Sequence, residues 1–209
     1  MFSVGHVALS YLIGKALSRY TEQDLNVPVI WALSILPDID LLISGLRHRG
    51  PTHSLIVALL VFAPVFIIMS KRTIPYFAAF VTHALIGDYI TNGGVELLWP
   101  LSSEPLEFRS VTRMGSAFET GLELALFAML IITLILSRDY KNLFNTDKKN
   151  IFLLIPLCTI FIPITFRYPI KIPKILVIPN LILMSIMALS ALMSLTNTLK
   201  ESLQIKNRI

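Results

Sequence analysis

The chain has 209 residues, of which 55% are hydrophobic and only 15% are charged, and its mean hydropathy is +0.72. A soluble domain averages about 25% charged residues, so this composition excludes an ordinary soluble globular protein and indicates an integral membrane protein. The net charge of +5 is spread over short loops between apolar segments, which is typical of membrane-flanking charges and argues against nucleic-acid binding.

Seven segments approach the roughly 17–25 apolar residues that a helix needs to cross a bilayer. In chain order they cover residues 2–18, 27–46, 53–70, 74–92, 117–137, 150–166 and 175–195. The sequence therefore predicts an all-α, polytopic transmembrane bundle of about seven spans, some of them short or broken. Residues 1–137 are predicted to form a membrane-embedded domain, and residues 138–209 add C-terminal transmembrane helices and a polar tail without a motif.

One connection between the predicted spans is long. Residues 93–116 contain the stretch "WPLSSEPLEF" and link the fourth segment to the fifth. A long loop in a compact protein is usually functional or packed as a cap, and we expect the same of this one. Trp99 is predicted to anchor the loop at the membrane interface.

Ionisable residues are concentrated in the first 120 residues, within or beside the apolar segments. They include all four histidines of the chain and are His6, Asp38, Asp40, His48, His53, His83, Asp88 and Glu119. An ionisable group at the bilayer centre costs about 2.5–3.5 kcal/mol on insertion scales. We therefore expect these residues to pair with one another, to bind a metal ion or to face water.

The predicted topology places these residues at one face of the membrane. If the first segment runs from face X to face Y, His6 lies near X, and the second segment returns Asp38 and Asp40 to the X half. The turn at residues 47–52 lies on X with His48 and His53. The fourth and fifth segments also carry their ionisable residues in the half nearer X. This shared sidedness predicts a single polar site.

Imidazole and carboxylate groups together bind zinc or another first-row divalent ion, which can activate water as a nucleophile. Pro37 is predicted to begin a half-helix, and Thr52 to cap a helix that starts at His53. Asp38 and Asp40 stand about 200° apart on a regular helix. We therefore expect one of them to bind the ion and the other to orient a histidine or to bind a second ion.

Several short motifs occur in a characteristic order in the first 130 residues. They are "GH" at 5–6, "PDID" at 37–40, "HRGPTHS" at 48–54, His83 with Asp88, "GGVELLWPLS" at 93–102 and "GSAFE" at 115–119. In these motifs the chain resembles the YdjM-like family of membrane-bound, metal-dependent hydrolases, also described as LexA-binding, inner membrane-associated proteins. The resemblance implies a hydrolase whose site residues are the eight ionisable residues named above.

The chain departs from the family pattern at one point. The pattern has His and Asp four residues apart on one helical face, whereas His83 and Asp88 are five apart. That spacing puts them some 140° apart on a regular helix. A π-bulge would restore a shared face, and such bulges favour functional sites.

The predicted function is metal-dependent hydrolysis. One or two divalent ions, zinc in the first instance, would be held by His6, Asp38, Asp40, His53, His83 and Asp88. Glu119, Arg49 and His48 form the predicted catalytic group: Glu119 or a spare aspartate as the base, Arg49 as the contact for developing negative charge, and His48 as a ligand or a partner of one. The ligand order is also similar to that of zinc-dependent phospholipase C enzymes, which favours a phosphoester of a lipid-like substrate in the bilayer.

Two other functions fit the same residues. An ion-coupled transporter would use the carboxylates and histidines as a proton relay, although the paired broken helices of an inverted repeat are missing from the sequence. A membrane scaffold would bind a soluble regulator through its loops and would not need the histidines.

The distribution of basic residues predicts the orientation in the membrane. Face Y collects eleven of the 18 basic residues, namely Lys15, Arg19, Lys71, Arg72, Arg138, Lys141, Lys148, Lys149, Lys200, Lys206 and Arg208. The positive-inside rule then puts face Y in the cytoplasm and the polar site on the extracytoplasmic side.

Overall fold

The computed structural model describes residues 1–91, 93–108, 115–166 and 172–206. In chain order the α-helices are α1 (Ser3–Tyr20), α2 (Val27–Ile35), α3 (Leu55–Met69), α4 (Ile74–Thr82), α5 (Ala117–Leu136), α6 (Tyr140–Leu143), α7 (Leu154–Phe166) and α8 (Lys174–Lys206). Apart from one isolated bridge between Val95 and Leu106, the regular secondary structure of the described residues is helical. The all-α prediction is therefore confirmed.

The hydrophobic core forms where α1 and α2 pack against α4, α5 and the C-terminal helices. Its buried side chains include Val4, Val7, Tyr11, Ile30, Trp31, Ile35, Ala79, Leu130, Leu134 and Met187. α2 begins with an Asn26 cap, whose side-chain oxygen accepts from the Val29 amide at 3.1 Å, and with Pro28 in its first turn. Both features satisfy or remove amides that would otherwise be unpaired at a helix start.

The chain reverses direction between α3 and α4. The rings of Phe62 and Phe80 are 5.7 Å apart, whereas a continuous straight helix would separate these residues by about 27 Å. The reversal occurs at Ser70, which has a positive φ of 51°. α3 and α4 therefore form an antiparallel hairpin, and Leu55 and Ile90 lie at the same end of it.

Among the described residues, three helical stretches are long and apolar enough to cross a membrane: Leu55–Ile90, Ala117–Leu136 and Lys174–Gln204. The first contains the reversal at Ser70. Many of their large apolar side chains face outward, among them Leu59, Leu60, Ile67, Ile68, Ile132, Leu136, Ile178 and Leu181, as expected of surfaces that contact lipid. The membrane assignment is thus supported, whereas a total of seven spans stays a prediction.

Two irregular helical segments carry the predicted site residues. Leu36–Leu42 is a 3-10 helix that follows α2 and has Pro37 in its first turn, as predicted for a short helix starting at this proline. His83–Ile90 is a π-helix that follows α4. In a π-helix the i→i+5 hydrogen bonds stack residues five apart, so the spacing of His83 and Asp88 fits one face.

The long loop packs as a cap on the "HRGPTHS" segment. The Leu55 amide donates to the Leu97 carbonyl oxygen at 2.9 Å, and the Ser54 hydroxyl donates to the Trp99 carbonyl oxygen. Ser54 also caps α3, since its hydroxyl oxygen accepts from the Ile56 amide at 3.1 Å. The prediction of a Thr52 cap is therefore wrong, because His53 lies in a separate 3-10 turn, Pro51–His53, and α3 starts two residues later.

Candidate metal centre

Four ionisable side chains from three parts of the chain converge on one point. Asp38 comes from the 3-10 helix, His53 from the turn before α3, and His83 and Asp88 from the π-helix. One ligand atom from each lies within 4.8 Å of the others. The His53 and His83 side chains are fully buried, whereas Asp38 is 19% exposed. These residues are called the four-residue group below.

The spacing inside the four-residue group matches a small tetrahedral ion. The His53 Nε2 atom lies 3.4 Å from Asp38 Oδ1 and 3.3 Å from Asp88 Oδ2. The His83 Nε2 atom lies 3.2 Å and 3.4 Å from the same two oxygens. Zinc bonds of about 2.0–2.1 Å in tetrahedral geometry separate ligand atoms by roughly 3.3–3.4 Å. The side chains present therefore fit a single first-row divalent ion.

The tautomer of His83 is fixed by a backbone carbonyl group. His83 Nδ1 lies 2.6 Å from the Ser34 carbonyl oxygen, which can only accept a hydrogen bond. Nδ1 therefore carries a proton, so in the neutral ring the lone pair is on Nε2, the atom that faces the two carboxylates. This is the arrangement that metal-binding histidines adopt in proteins.

His53 is oriented in the same way by two side chains. Its Nδ1 atom lies 3.0 Å from Thr52 Oγ1 and 3.4 Å from Asp40 Oδ2. The Thr52 hydroxyl donates its own proton to Asp40 at 2.9 Å, so its oxygen can accept from Nδ1. The Nε2 atom of His53 consequently turns its lone pair into the four-residue group.

Asp40 lies behind the centre and connects its neighbours. Besides Thr52, the carboxylate accepts from the Arg49 amide at 3.2 Å and contacts His48 Nδ1 at 3.1 Å. Asp40 lies outside the three apolar stretches. Burial raises the pKa of its carboxyl group. Hydrogen bonds from His48 and His53 have the opposite effect and prevail, so the pKa is lowered to about 2. Asp40 is thus an ionised acceptor that orients both histidines.

Asp40, His48 and His53 form a second cluster with metal-ligand spacing. In that cluster the His53 atom that contacts Asp40 is Nδ1, at 3.4 Å, and this nitrogen also contacts the Thr52 hydroxyl oxygen at 3.0 Å. The contacts therefore favour metal binding in the four-residue group and an orienting role for Asp40. This division agrees with the expectation that one aspartate binds and the other orients, because the 3-10 helix turns residues two apart by about 240°.

Several buried polar atoms of the centre have no hydrogen-bond partner among the described residues. They are His53 Nε2, His83 Nε2 and Asp88 Oδ2, together with His6 Nδ1 on the neighbouring helix. Buried polar atoms in folded proteins are nearly always satisfied, since an unmet one costs about 1–3 kcal/mol. Three such atoms aimed at one point are what a metal-ligand set requires.

His6 lies beside the four-residue group and outside it. Its ring stacks on the His83 ring with centroids 3.8 Å apart and planes 16° apart, and it is buried. The stack depends on Gly87, because a methyl group there would lie 2.2 Å from His6 Cε1 and 2.4 Å from Nδ1. His6 therefore braces the ring of a predicted ligand.

The predicted catalytic residues lie at different distances from the centre. The guanidinium group of Arg49 contacts Asp88, with Nη2 at 3.2 Å from Oδ1. The His48 side chain is 36% exposed and lies 3.9 Å from Asp38 Oδ1. An open cavity of about 480 Å³ lies on the outer side of Asp40 and His48 and is lined further by Leu41, Ile43, Ser44, Gly45 and Leu46.

Glu119 contacts the amino end of α1 and is not in the four-residue group. Its Oε1 atom is 3.3 Å from the Met1 amine, and its other oxygen accepts from the Gly115 amide. Glu123, one turn later, accepts from the Phe2 amide at 2.5 Å and from the Gly5 amide at 3.2 Å. The two carboxylates hold the start of α1, and α1 carries His6.

Three residues that shape the centre were missed by the sequence analysis in this role. Ser34 contributes a carbonyl oxygen, Thr52 a hydroxyl bridge and Gly87 the space for His6. A backbone acceptor leaves no trace in residue type. Gly87 offered a signal, because a glycine between two predicted ligands on a helix suggests close approach of another group.

Comparisons with known proteins give one match. A family model described as "YdjM inner membrane protein" matches residues 1–168. Neither the curated proteins nor the solved structures contain a match. The matched range covers every member of the four-residue group.

Proposed function

Since the chain belongs to the YdjM inner membrane protein family, we propose that it is a membrane-bound hydrolase with one divalent metal ion, zinc in the first instance. Asp38, His53, His83 and Asp88 would hold the ion. The substrate would be an ester, and specifically a phosphoester of a lipid-like molecule.

One observation carries the metal proposal. Two buried histidines keep their Nδ1 protons on fixed acceptors and turn Nε2 toward two carboxylates, at N···O distances of 3.2–3.4 Å. At these distances Nε2 of both rings and Asp88 Oδ2 form ion-pair contacts but no hydrogen bond of regular geometry, and a bound cation would satisfy all three atoms.

The residues around the centre suit ester hydrolysis. A bound divalent ion supplies a Lewis acid and lowers the pKa of coordinated water toward ~7. Arg49 brings a positive charge to within 3.2 Å of Asp88, where it would stabilise negative charge on a substrate oxygen. His48, whose Nδ1 is held by Asp40, leaves Nε2 to exchange a proton at the open cavity. Glu119 would act as an anchor for α1.

A structural metal site is the second candidate. Four protein ligands complete a tetrahedron, and closed four-ligand sites are typical of structural zinc, whereas catalytic zinc usually has three protein ligands and water. The partial exposure of Asp38 favours the catalytic alternative, because Asp38 is the ligand that water or substrate could displace.

Turnover by the purified protein separates these candidates. We expect zinc-loaded protein in detergent to hydrolyse bis(4-nitrophenyl) phosphate, and we expect chelator treatment or Asp88→Asn to remove that activity. Arg49→Lys should keep the metal but lower kcat, because a lysine loses the planar guanidinium group. Tight zinc binding without turnover of this probe or of a 4-nitrophenyl carboxylate ester would favour the structural site. A wild-type protein that binds no metal would contradict both.

Asp40→Asn is expected to weaken zinc binding by about tenfold without removing a ligand, as loss of an orienting partner typically does. In the wild-type protein both carboxylate oxygens accept hydrogen bonds. In the variant one of them is replaced by an NH₂ group, so at least one donor loses its acceptor. Competition with a chromophoric chelator would measure the affinity. Asp24→Asn, at an exposed acidic residue, is the matched control, and equal affinities for the two variants would contradict the orienting role.

A further inference from the structure

The loop formed by residues 93–108 has an exposed apolar edge. The exposed fractions are 43% for Leu98, 82% for Leu101 and 53% for Phe108. Ser103 and Glu104 of the same loop are exposed as well. The loop therefore has apolar and polar exposed positions within a few residues of each other.

The other edge of the loop is fixed to the protein. Glu96 is buried, and its carboxylate accepts from Arg47 Nη1 at 2.8 Å. The Glu96 amide donates to the Arg49 carbonyl oxygen at 3.0 Å, and a two-bond bridge joins Val95 to Leu106 at 2.9 and 3.0 Å. These contacts hold the loop in one orientation, so the exposure of its apolar edge is a fixed property of the fold.

The loop lies at the depth where the apolar stretch begins and ends. Its Leu97 carbonyl oxygen accepts from Leu55, the first residue of the stretch Leu55–Ile90. The ring of Phe108 lies 6.1 Å from that of Tyr89, the penultimate residue of the same stretch. The hairpin brings both ends of the stretch to the same end of the molecule. The loop contacts both of them, so it lies where the apolar surface ends and the bilayer interface is expected.

We propose that the apolar edge of this loop, Leu98, Leu101 and Phe108, is inserted into the interfacial layer of the lipid bilayer, with Ser103 and Glu104 toward water. Lipid is the occupant that the geometry favours, since the loop contacts both ends of the apolar hairpin, at Leu55 and at Tyr89. Apolar and aromatic side chains at this depth stabilise the position of a membrane protein. The proposal does not depend on the metal centre or on an enzymatic activity.

The depth of single labelled positions in proteoliposomes tests the proposal. In a Cys158→Ser background, which removes the only cysteine of the chain, nitroxide labels would be attached to Leu101→Cys and Glu104→Cys. Leu60→Cys, 67% exposed on α3, provides the lipid reference. Collision rates with oxygen and with a water-soluble nickel chelate would be compared by electron paramagnetic resonance in phosphatidylethanolamine–phosphatidylglycerol vesicles.

We expect the label at position 101 to have oxygen and nickel accessibilities between those of the labels at positions 60 and 104, and the label at 104 to show several-fold higher nickel accessibility than the label at 101. Equal accessibility at 101 and 104, whether both are in water or both in lipid, would overturn the proposal. If both labels are in water, lipid is not what covers the apolar edge.

Discussion

Replacement of His53 by alanine is expected to abolish metal binding while the chain remains inserted in the membrane. His53 would contribute one of two imidazole ligands, and its Nε2 atom lies 3.4 Å and 3.3 Å from the carboxylate oxygens of Asp38 and Asp88. Alanine at this position leaves three candidate ligand residues and removes the fourth donor atom. The fall in zinc affinity should exceed the roughly 10- to 100-fold loss that changes in orienting residues cause.

Mass-spectrometric metal analysis of the purified variant would measure this effect. His48→Ala is the matched control, since His48 is half-exposed and contacts Asp40 from outside the four-residue group. We expect the control to retain a stoichiometric metal ion and the His53 variant to retain almost none. Equal metal content in the two variants would contradict the ligand assignment.

Substitution of Gly87 by alanine is expected to destabilise the protein by about 2–3 kcal/mol, the upper part of the roughly 1–3 kcal/mol that overpacking a core costs. The added methyl group would lie 2.2 Å from His6 Cε1, and the His6 ring is buried and stacked on His83, so it has little room to move. Either the π-helix or α1 must shift. We expect a lower unfolding temperature in detergent and weaker zinc binding.

Two further variants identify the clash as the cause. Gly121→Ala lies inside α5, where the added methyl group meets no described atom within 4 Å beyond the helix itself. There alanine should stabilise by roughly 0.5–1 kcal/mol, because it restricts the unfolded chain. The double variant His6→Ala with Gly87→Ala removes the obstructing ring and should recover part of the lost stability. If Gly87→Ala raises the unfolding temperature as Gly121→Ala does, the steric argument is wrong.

The convergence of the polar residues could be predicted from the sequence because it depends on chain direction. Apolar segments that alternate in direction place polar residues from different segments at one end, and the structure does bring Asp38, His53, His83 and Asp88 together. The five-residue spacing of His83 and Asp88 also favours a π-bulge if the two residues are to share a face, and a π-helix is observed there.

Other features depend on contacts that residue types do not reveal. The Ser34 carbonyl oxygen orients His83, yet any residue at this position would provide a carbonyl. Glu119 was predicted as a base from its position along the chain, and its contact with Met1 arises only when α1 packs against α5. The reversal near Ser70, by contrast, is predicted by the sequence, because "KR" separates the apolar segments 53–70 and 74–92.

The π-helix determines which changes of length the segment His83–Ile90 can tolerate. A π-helix accommodates one residue more per hydrogen-bonded turn than an α-helix does. Deletion of Leu85 would let the segment His83–Ile90 adopt α-helical hydrogen bonding. The histidine and the aspartate would then be four residues apart and would still share a face. A second inserted residue would rotate the two away from each other. The segment His83–Ile90 can therefore lose one residue and keep His83 and Asp88 on one face. It cannot gain another, because the π-helix already accommodates one extra residue.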